Sequence, residues 1–151
     1  MKEIRSEIEI GSSPDKVWQL LIGSPGFVPG EIREAVKDRR LGSKLKVYMG
    51  TESGKGASFT VRLLVAEPGH ELRWKGQLWI PGLFDGEHVF EIKPISDNQG
   101  GERVLFVQSE KFSGLFLPFL SKTIKNTKDE FDKMSVALRQ RAAQLQTMRQ
   151  A

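Results

Sequence analysis

The sequence predicts an α+β fold: a curved antiparallel β-sheet of six to seven strands wrapped around a long C-terminal helix, with two short helices after the first strand. Three observations predict it. Residues 2–10 and most of 38–112 alternate apolar and polar side chains with a period of two. From Leu120 onward the apolar residues recur at steps of three, four or seven. The turns between neighbouring strands are short, which favours antiparallel pairing.

Each element follows from its own residues. Ile4, Ile8 and Ile10 share one face of a strand over residues 2–10, with Lys2 and Ser6 in the gaps. Gly11-Ser12-Ser13-Pro14-Asp15 stops it and starts a helix, with Ser13 as N-cap, Pro14 at the first helical position and Asp15 at the positive end of the macrodipole. Val17, Trp18, Leu20, Leu21 and Ile22 form its buried stripe, Gly23 to Gly26 ends it, and residues 27–37 form a second short helix. Strands follow at Arg39 to Tyr48, with Leu41, Leu45 and Val47 on one face, and at Ser58 to Glu67, where Phe59, Val61, Leu63 and Val65 alternate with polar residues. Pro68-Gly69-His70 is a turn, with His70 at the surface, and Leu72 to Trp79 is the next strand. After the loop Ile80 to Gly86, strands at Glu87 to Ile95 and Arg103 to Phe112 flank a polar turn at Ser96 to Gly101. The last helix begins at Pro118 or Ser121 and carries Leu120, Ile124, Phe131, Met134, Leu138, Ala142 and Leu145 on one face. It is the only large helix, so it is the natural cover for the apolar faces of the strands.

Composition narrows the function classes. With 151 residues, 38% hydrophobic and 28% charged, the chain matches ordinary globular usage. Having no cysteine, it has no disulfide, no thiolate metal site and no cysteine nucleophile. Its two histidines, His70 and His88, are too few for a three-histidine zinc site. Gly54-Lys55-Gly56 lacks the spacing of a phosphate-binding glycine loop, and no cofactor is expected. Residues 1–10 carry no secretion-type apolar stretch, and Leu115 to Leu120 is far short of the ~20 residues a spanning helix needs. A cytoplasmic chain with no transmembrane segment is expected. The net charge of +4 resides in seven Lys/Arg and three acids between 122 and 149. Charge placed along one helix reads as a solvated face, and no motif points to a specific nucleic acid.

A resemblance adds to this. The run ELRWKGQLWIPGLFDGEHVFEIKPI (71–95), followed by ERVLFVQSEKFSGLFLPFL (102–120), resembles the START-like superfamily, also called SRPBCC or Bet v 1-like. Within it, the chain is most similar to bacterial polyketide cyclase/dehydrase-like members. PDKVWQLL (14–21) is similar to the family's first helix and FDKMSVALRQRA (131–142) to its last, so the resemblance runs from about residue 3 to 145. After the first helix such relatives often read as a proline followed by Trp-Asn-Pro-Phe; here Ser24-Pro25-Gly26-Phe27-Val28-Pro29-Gly30 keeps an aromatic at Phe27 and lacks the Trp-Asn pair. The resemblance implies the helix-grip fold, with residues 1–151 as one ligand-binding domain around an internal cavity.

A bent sheet closed on one helix leaves space that its own side chains fill only when large and well placed. The inward candidates are Phe59, Val61, Leu63, Trp74, Leu78, Phe90, Ile92, Phe106, Phe131 and Met134, with Gly76 leaving a gap between Trp74 and Leu78. This lining suits a hydrophobic or amphipathic small molecule such as a lipid. A hairpin around the Ser96 to Gly101 turn puts His88 opposite Glu110, Phe90 opposite Gln108 and Ile92 opposite Phe106. His88, Gln108 and Glu110 then share the inward face, orienting a ligand or, in a polyketide cyclase/aromatase-type enzyme, serving as acid and base (His88 and Glu110) and enolate holder (Gln108). A cochaperone- or ribosome-type interaction module is the remaining alternative within the superfamily. Phe27, Leu83, Phe84, Leu115 and Phe116 form the expected rim. As a lid they shield a ligand; left exposed, they mark a homodimer or membrane-surface contact.

Overall fold

A computed structural model describes residues 2–50, 56–78, 82–96 and 101–150. Six strands form one antiparallel sheet: β1 (Lys2–Ile10), β2 (Lys44–Gly50), β3 (Gly56–Glu67), β4 (Glu71–Leu78), β5 (Asp85–Ser96) and β6 (Glu102–Ser113). Their spatial order is β1-β6-β5-β4-β3-β2. Helices α1 (Pro14–Gly23) and α2 (Gly30–Lys37) therefore carry the chain from one edge of the sheet, β1, to the other, β2. The 30-residue helix α3 (Ser121–Gln150) follows β6, after a single 3-10 turn at Leu117–Phe119. Among the described residues, no helix is long and apolar enough to cross a membrane.

The local chemistry explains the boundaries. Ser13 accepts a hydrogen bond from the Lys16 amide at 3.3 Å, and Pro14 opens α1. Pro29 caps α2, so the second helix begins three residues later than Phe27. β2 begins at Lys44 rather than Arg39. Residues 38–43 are spent on a turn in which Arg39 and Gly42 take positive φ (55° and 80°), and Leu41, expected on the buried face, lies exposed. β3 carries a bulge between Leu63 and Val65, which moves Val65 to the outer face, opposite Arg73, and brings Ala66 inward, opposite Leu72. Trp79, Ile80 and Pro81, the tip at Gly54-Lys55, and most of the Ser96 to Gly101 turn lie outside the described residues.

The apolar interior forms two clusters. The larger joins Val17, Leu20 and Leu21 of α1, Ile32 and Ala35 of α2, Leu63, Phe90, Ile92 and Phe106 of the sheet, and Leu138 and Ala142 of α3. The smaller joins Ile4, Phe84, Phe112, Ile124 and Phe131, flanked by Phe59, Leu78, Leu117 and Leu120. Helix α3 packs mainly along β1 and touches β6 only lightly.

Gly114 joins the sheet to α3 under tight constraint. Its φ is +123°, and an added Cβ would stand 2.4 Å from the Leu83 carbonyl oxygen. Gly114→Ala is expected to lower stability by at least about 2 kcal/mol, read as a shifted denaturant midpoint.

Candidate functional site

The site is built from three rows of side chains that cross the concave face in register. One row runs Ser6, Gln108, Phe90, Leu72 and Ala66 across β1, β6, β5, β4 and β3. The next runs Ile4, Glu110, His88, Trp74 and Leu63. The third runs Lys2, Phe112, Gly86, Gly76 and Val61. The pairings His88–Glu110, Phe90–Gln108 and Ile92–Phe106 are those that a hairpin about residues 96–101 requires.

His88 is the centre of the arrangement. Its Nδ1 lies 3.3 Å from Glu110 Oε1, and its Nε2 lies 3.0 Å from Gln108 Nε2. With the amide placed so, Gln108 donates to Nε2, which makes Nδ1 the protonated nitrogen and the donor to Glu110. The ring stacks on Trp74 at 4.5 Å and 18°, with Phe90 and Phe131 at 4.6 and 4.8 Å on tilted planes. Both ring nitrogens and the ring's aromatic neighbours therefore hold it in one orientation.

A second buried polar contact lies beside it. Ser6 Oγ on β1 and Ser135 Oγ on α3 are 3.2 Å apart, and both residues are buried. Together with Gln108, His88 and Glu110 they form a polar belt between the two apolar clusters. One atom in the belt lacks a partner: Gln108 Oε1 is buried and accepts no hydrogen bond among the described residues.

The inward candidates divide into two groups. Val61, Leu63, Phe90, Ile92 and Phe106 are packed into the larger cluster, and Trp74 joins them with one face on His88. Phe59, Leu78, Gly76 and Glu110 remain partly open on the same face; on α3, Met134 is half-buried against the larger cluster and Phe131 is buried. Gly76 and Gly86 stand opposite each other in the third row, so the sheet there offers bare backbone next to Glu110 and His88. The Glu110 carboxyl occupies the space over Gly86, 3.4 Å from where a Cβ would stand.

The rim residues take different positions. Phe84 is buried against Phe112, with stacked rings 5.6 Å apart, and so is no exposed tip. Leu83 is half-buried, and Phe27 packs on the larger cluster at the α1–α2 turn. Leu115 and Phe116 are exposed. Gly82 and Leu83 carbonyls accept hydrogen bonds from the Leu115 and Phe116 amides, both at 3.0 Å, which ties the β4–β5 loop to the β6–α3 connection. Two grooves open elsewhere. One of about 480 Å³ lies between Lys2, Ile4 and the first turns of α3, and one of about 350 Å³ lies between α1 and Ala142, Leu145 and Gln146.

Periodicity did not single out Ser6 and Ser135 as partners. Ser6 shares its parity with Ile4 and Ile8, and Ser135 lies four residues after Phe131 and three before Leu138, which is the signal that places both inside.

The fold and these rows define a class: the chain has the helix-grip, Bet v 1-like fold, with a polar group set into an aromatic concave face. No protein-family model and no curated protein matches the sequence. Among solved structures it is similar to the di-domain ARO/CYC BexL from the BE-7585A biosynthetic pathway, with a TM-score of 0.60 and 14% identity over 97% of this chain and 48% of that one. It is also similar to norcoclaurine synthase from Thalictrum flavum, solved with dopamine and hydroxybenzaldehyde, with a TM-score of 0.57 and 13% identity over 95% of this chain and 87% of that one. The protein MLL2253 from Mesorhizobium loti gives a TM-score of 0.57 and 17% identity over 92% of this chain and 95% of that one.

His88→Ala removes a ring on which three aromatics pack and strips partners from two polar side chains. A loss of about 3 kcal/mol is expected in chemical denaturation. Glu110→Gln keeps a hydrogen-bonding group at the same place and is expected to cost less than about 1 kcal/mol.

Proposed function

We propose that this protein binds a hydrophobic or amphipathic small molecule on its concave face, above Gly76 and Gly86. One observation carries the reading. Gly76 adds no side chain to the middle of the sheet, directly beside the buried, hydrogen-bonded His88 and Gln108 and the partly open Glu110, whose carboxyl lies over the facing Gly86. Phe59, Leu78 and Phe131 border that floor with apolar surface, and Trp74 forms its side. The unpartnered Gln108 Oε1 supplies an acceptor for a ligand hydroxyl or amine. That norcoclaurine synthase was solved with two small aromatic molecules on the same fold supports the reading at the level of the fold.

The decisive variant is Gly76→Val. A Cβ at Gly76 meets only ordinary contacts, Val61 Cγ2 at 3.7 Å and the Gly86 carbonyl oxygen at 3.9 Å, so the strand accepts a side chain. The added isopropyl group fills the floor. Wild-type protein is expected to show a saturable change in tryptophan fluorescence with at least one of a panel of fatty acids, quinones and aromatic polyketides. Gly76→Val is expected to show none while remaining as stable as wild type. Equal binding by both proteins removes the ligand from this face, and no saturable change together with no co-purified compound in native mass spectrometry ends the reading.

A second reading, a polyketide cyclase/aromatase-type enzyme, is favoured by one detail. Glu110 is the most open member of the polar trio, with 16% of its side chain exposed against 9% for His88. In this reading the Glu110 carboxylate removes a proton next to a substrate carbonyl, the Gln108 N–H not used by His88 steadies the enolate oxygen, and the alkoxide formed on aldol closure takes the proton back from Glu110. Glu110→Gln is then expected to lower turnover of an aromatic polyketide precursor by about a hundredfold or more, with ligand affinity retained. Unchanged turnover in that variant rules out the role.

A further inference from the structure

The end of the molecule that carries the Gly76–Gly86 row also carries a surface that ligand binding does not explain. Leu115 and Phe119 are 75% and 84% exposed, and Phe116 lies exposed between them. They occupy the short connection from β6 to α3, held in place through Gly114 and the backbone hydrogen bonds to Gly82 and Leu83. Beside them lies the groove lined by Lys2, Ile4, Ser121, Lys122, Ile124, Lys125 and Lys128, which has four lysines and no carboxylate in its lining. Its apolar floor, Ile4 and Ile124, belongs to the same small cluster that Leu117 and Leu120 pack against.

The lysines are not equivalent. Lys128 reaches both carboxylate oxygens of Asp132, at 2.8 and 2.6 Å, and this hydrogen bonding holds the Asp132 carboxyl below the usual carboxylate range. Among the described residues Lys2, Lys122 and Lys125 form no ion pair. Exposed leucine and phenylalanine side chains bordered by lysines match the boundary between acyl chains and anionic headgroups: the apolar groups enter the first and the ammonium groups meet the second. An aqueous protein partner would have to match both features in one patch. A nucleic acid would use the lysines and leave Leu115 and Phe119 in water.

We infer that the β6–α3 connection and the start of α3 dock on the surface of an anionic lipid bilayer, with Leu115, Phe116 and Phe119 inserted and Lys2, Lys122 and Lys125 against the headgroups. The contact places the Gly76–Gly86 end of the concave face toward the bilayer, and it stands on surface residues that play no part in the ligand reading.

Co-sedimentation with phosphatidylcholine vesicles containing about 30% phosphatidylglycerol tests it. The wild-type chain is expected to pellet with these vesicles, to do so less at high salt, and to stay in solution with pure phosphatidylcholine. Lys122→Glu/Lys125→Glu is expected to weaken the partition by about tenfold or more, and Leu115→Ser/Phe119→Ser to weaken it without changing the salt dependence. All four positions are exposed, so circular dichroism and thermal unfolding are expected to match wild type. The proposal is overturned if wild type ignores anionic vesicles, or if either variant binds them as well as wild type does. Sedimentation equilibrium showing a dimer that Leu115→Ser/Phe119→Ser abolishes would assign the patch to a second copy instead. Capture of RNA that depends on the lysines and not on Leu115 and Phe119 would assign it to nucleic acid.

Discussion

The structure depends on a polar group that water does not solvate. His88, Gln108, Ser6 and Ser135 are buried inside a helix-covered sheet, where an unpaired donor or acceptor costs about 1–3 kcal/mol. Each finds a partner within the protein, with Gln108 Oε1 the one atom of the group left without one among the described residues. Gln108 and Glu110 supply it to the two imidazole nitrogens, and Ser135 supplies it to Ser6. Because these partners come from β1, β5, β6 and α3, the same contacts also fix how those four elements sit relative to one another. A one-residue slip between β5 and β6 would turn His88 to the convex face and leave Glu110 opposite a residue of the other parity. The apolar clusters on either side are tolerant of small changes in shape; the hydrogen bonds between them are not.

The placement of α3 bears on why part of the face beyond that belt is only half-buried. A helix laid along the middle of a sheet covers its central strands. Here α3 lies along β1, at one edge, and helices α1 and α2 fill the other end of the interior. The strands farthest from α3 are left to cover themselves. In the β3–β5 part of the sheet, Gly76 adds no side chain of its own, and Phe59 and Leu78 stay partly open. The polar belt thus holds the edge of the sheet to the helix, and Gly76 lies in the half-buried region next to it.

Much of this was legible in the residues. Alternation over β1, β3, β4, β5 and β6 placed the inner faces correctly wherever no backbone irregularity intervened, and the helical spacing from Ile124 to Ala142 located the buried side of α3. The failures have specific causes. Leu41 looks like a strand residue, but Arg39 and Gly42 adopt positive φ and spend it in a turn. The bulge after Leu63 lacks any glycine or proline to announce it, so Val65 kept the wrong parity. Asp85-Gly86 has the composition of a turn, yet both residues are paired within β5, because tertiary pairing overrides weak local preference. The serines of the polar belt were hidden by their type: serine is ordinary on surfaces, and only its position among isoleucines and phenylalanines places it inside.

The two hydrogen bonds from Leu115 and Phe116 to the carbonyls of Gly82 and Leu83 bear on motion. They hem one border of the concave face, so that the segment ahead of β5 and the segment ahead of α3 cannot part company without breaking both. Phe84, anchored on Phe112, weights this hem from beneath. Any widening at that border would therefore swing the two segments as a unit about the ends of β5 and β6, and it would carry the foot of the terminal helix along with them.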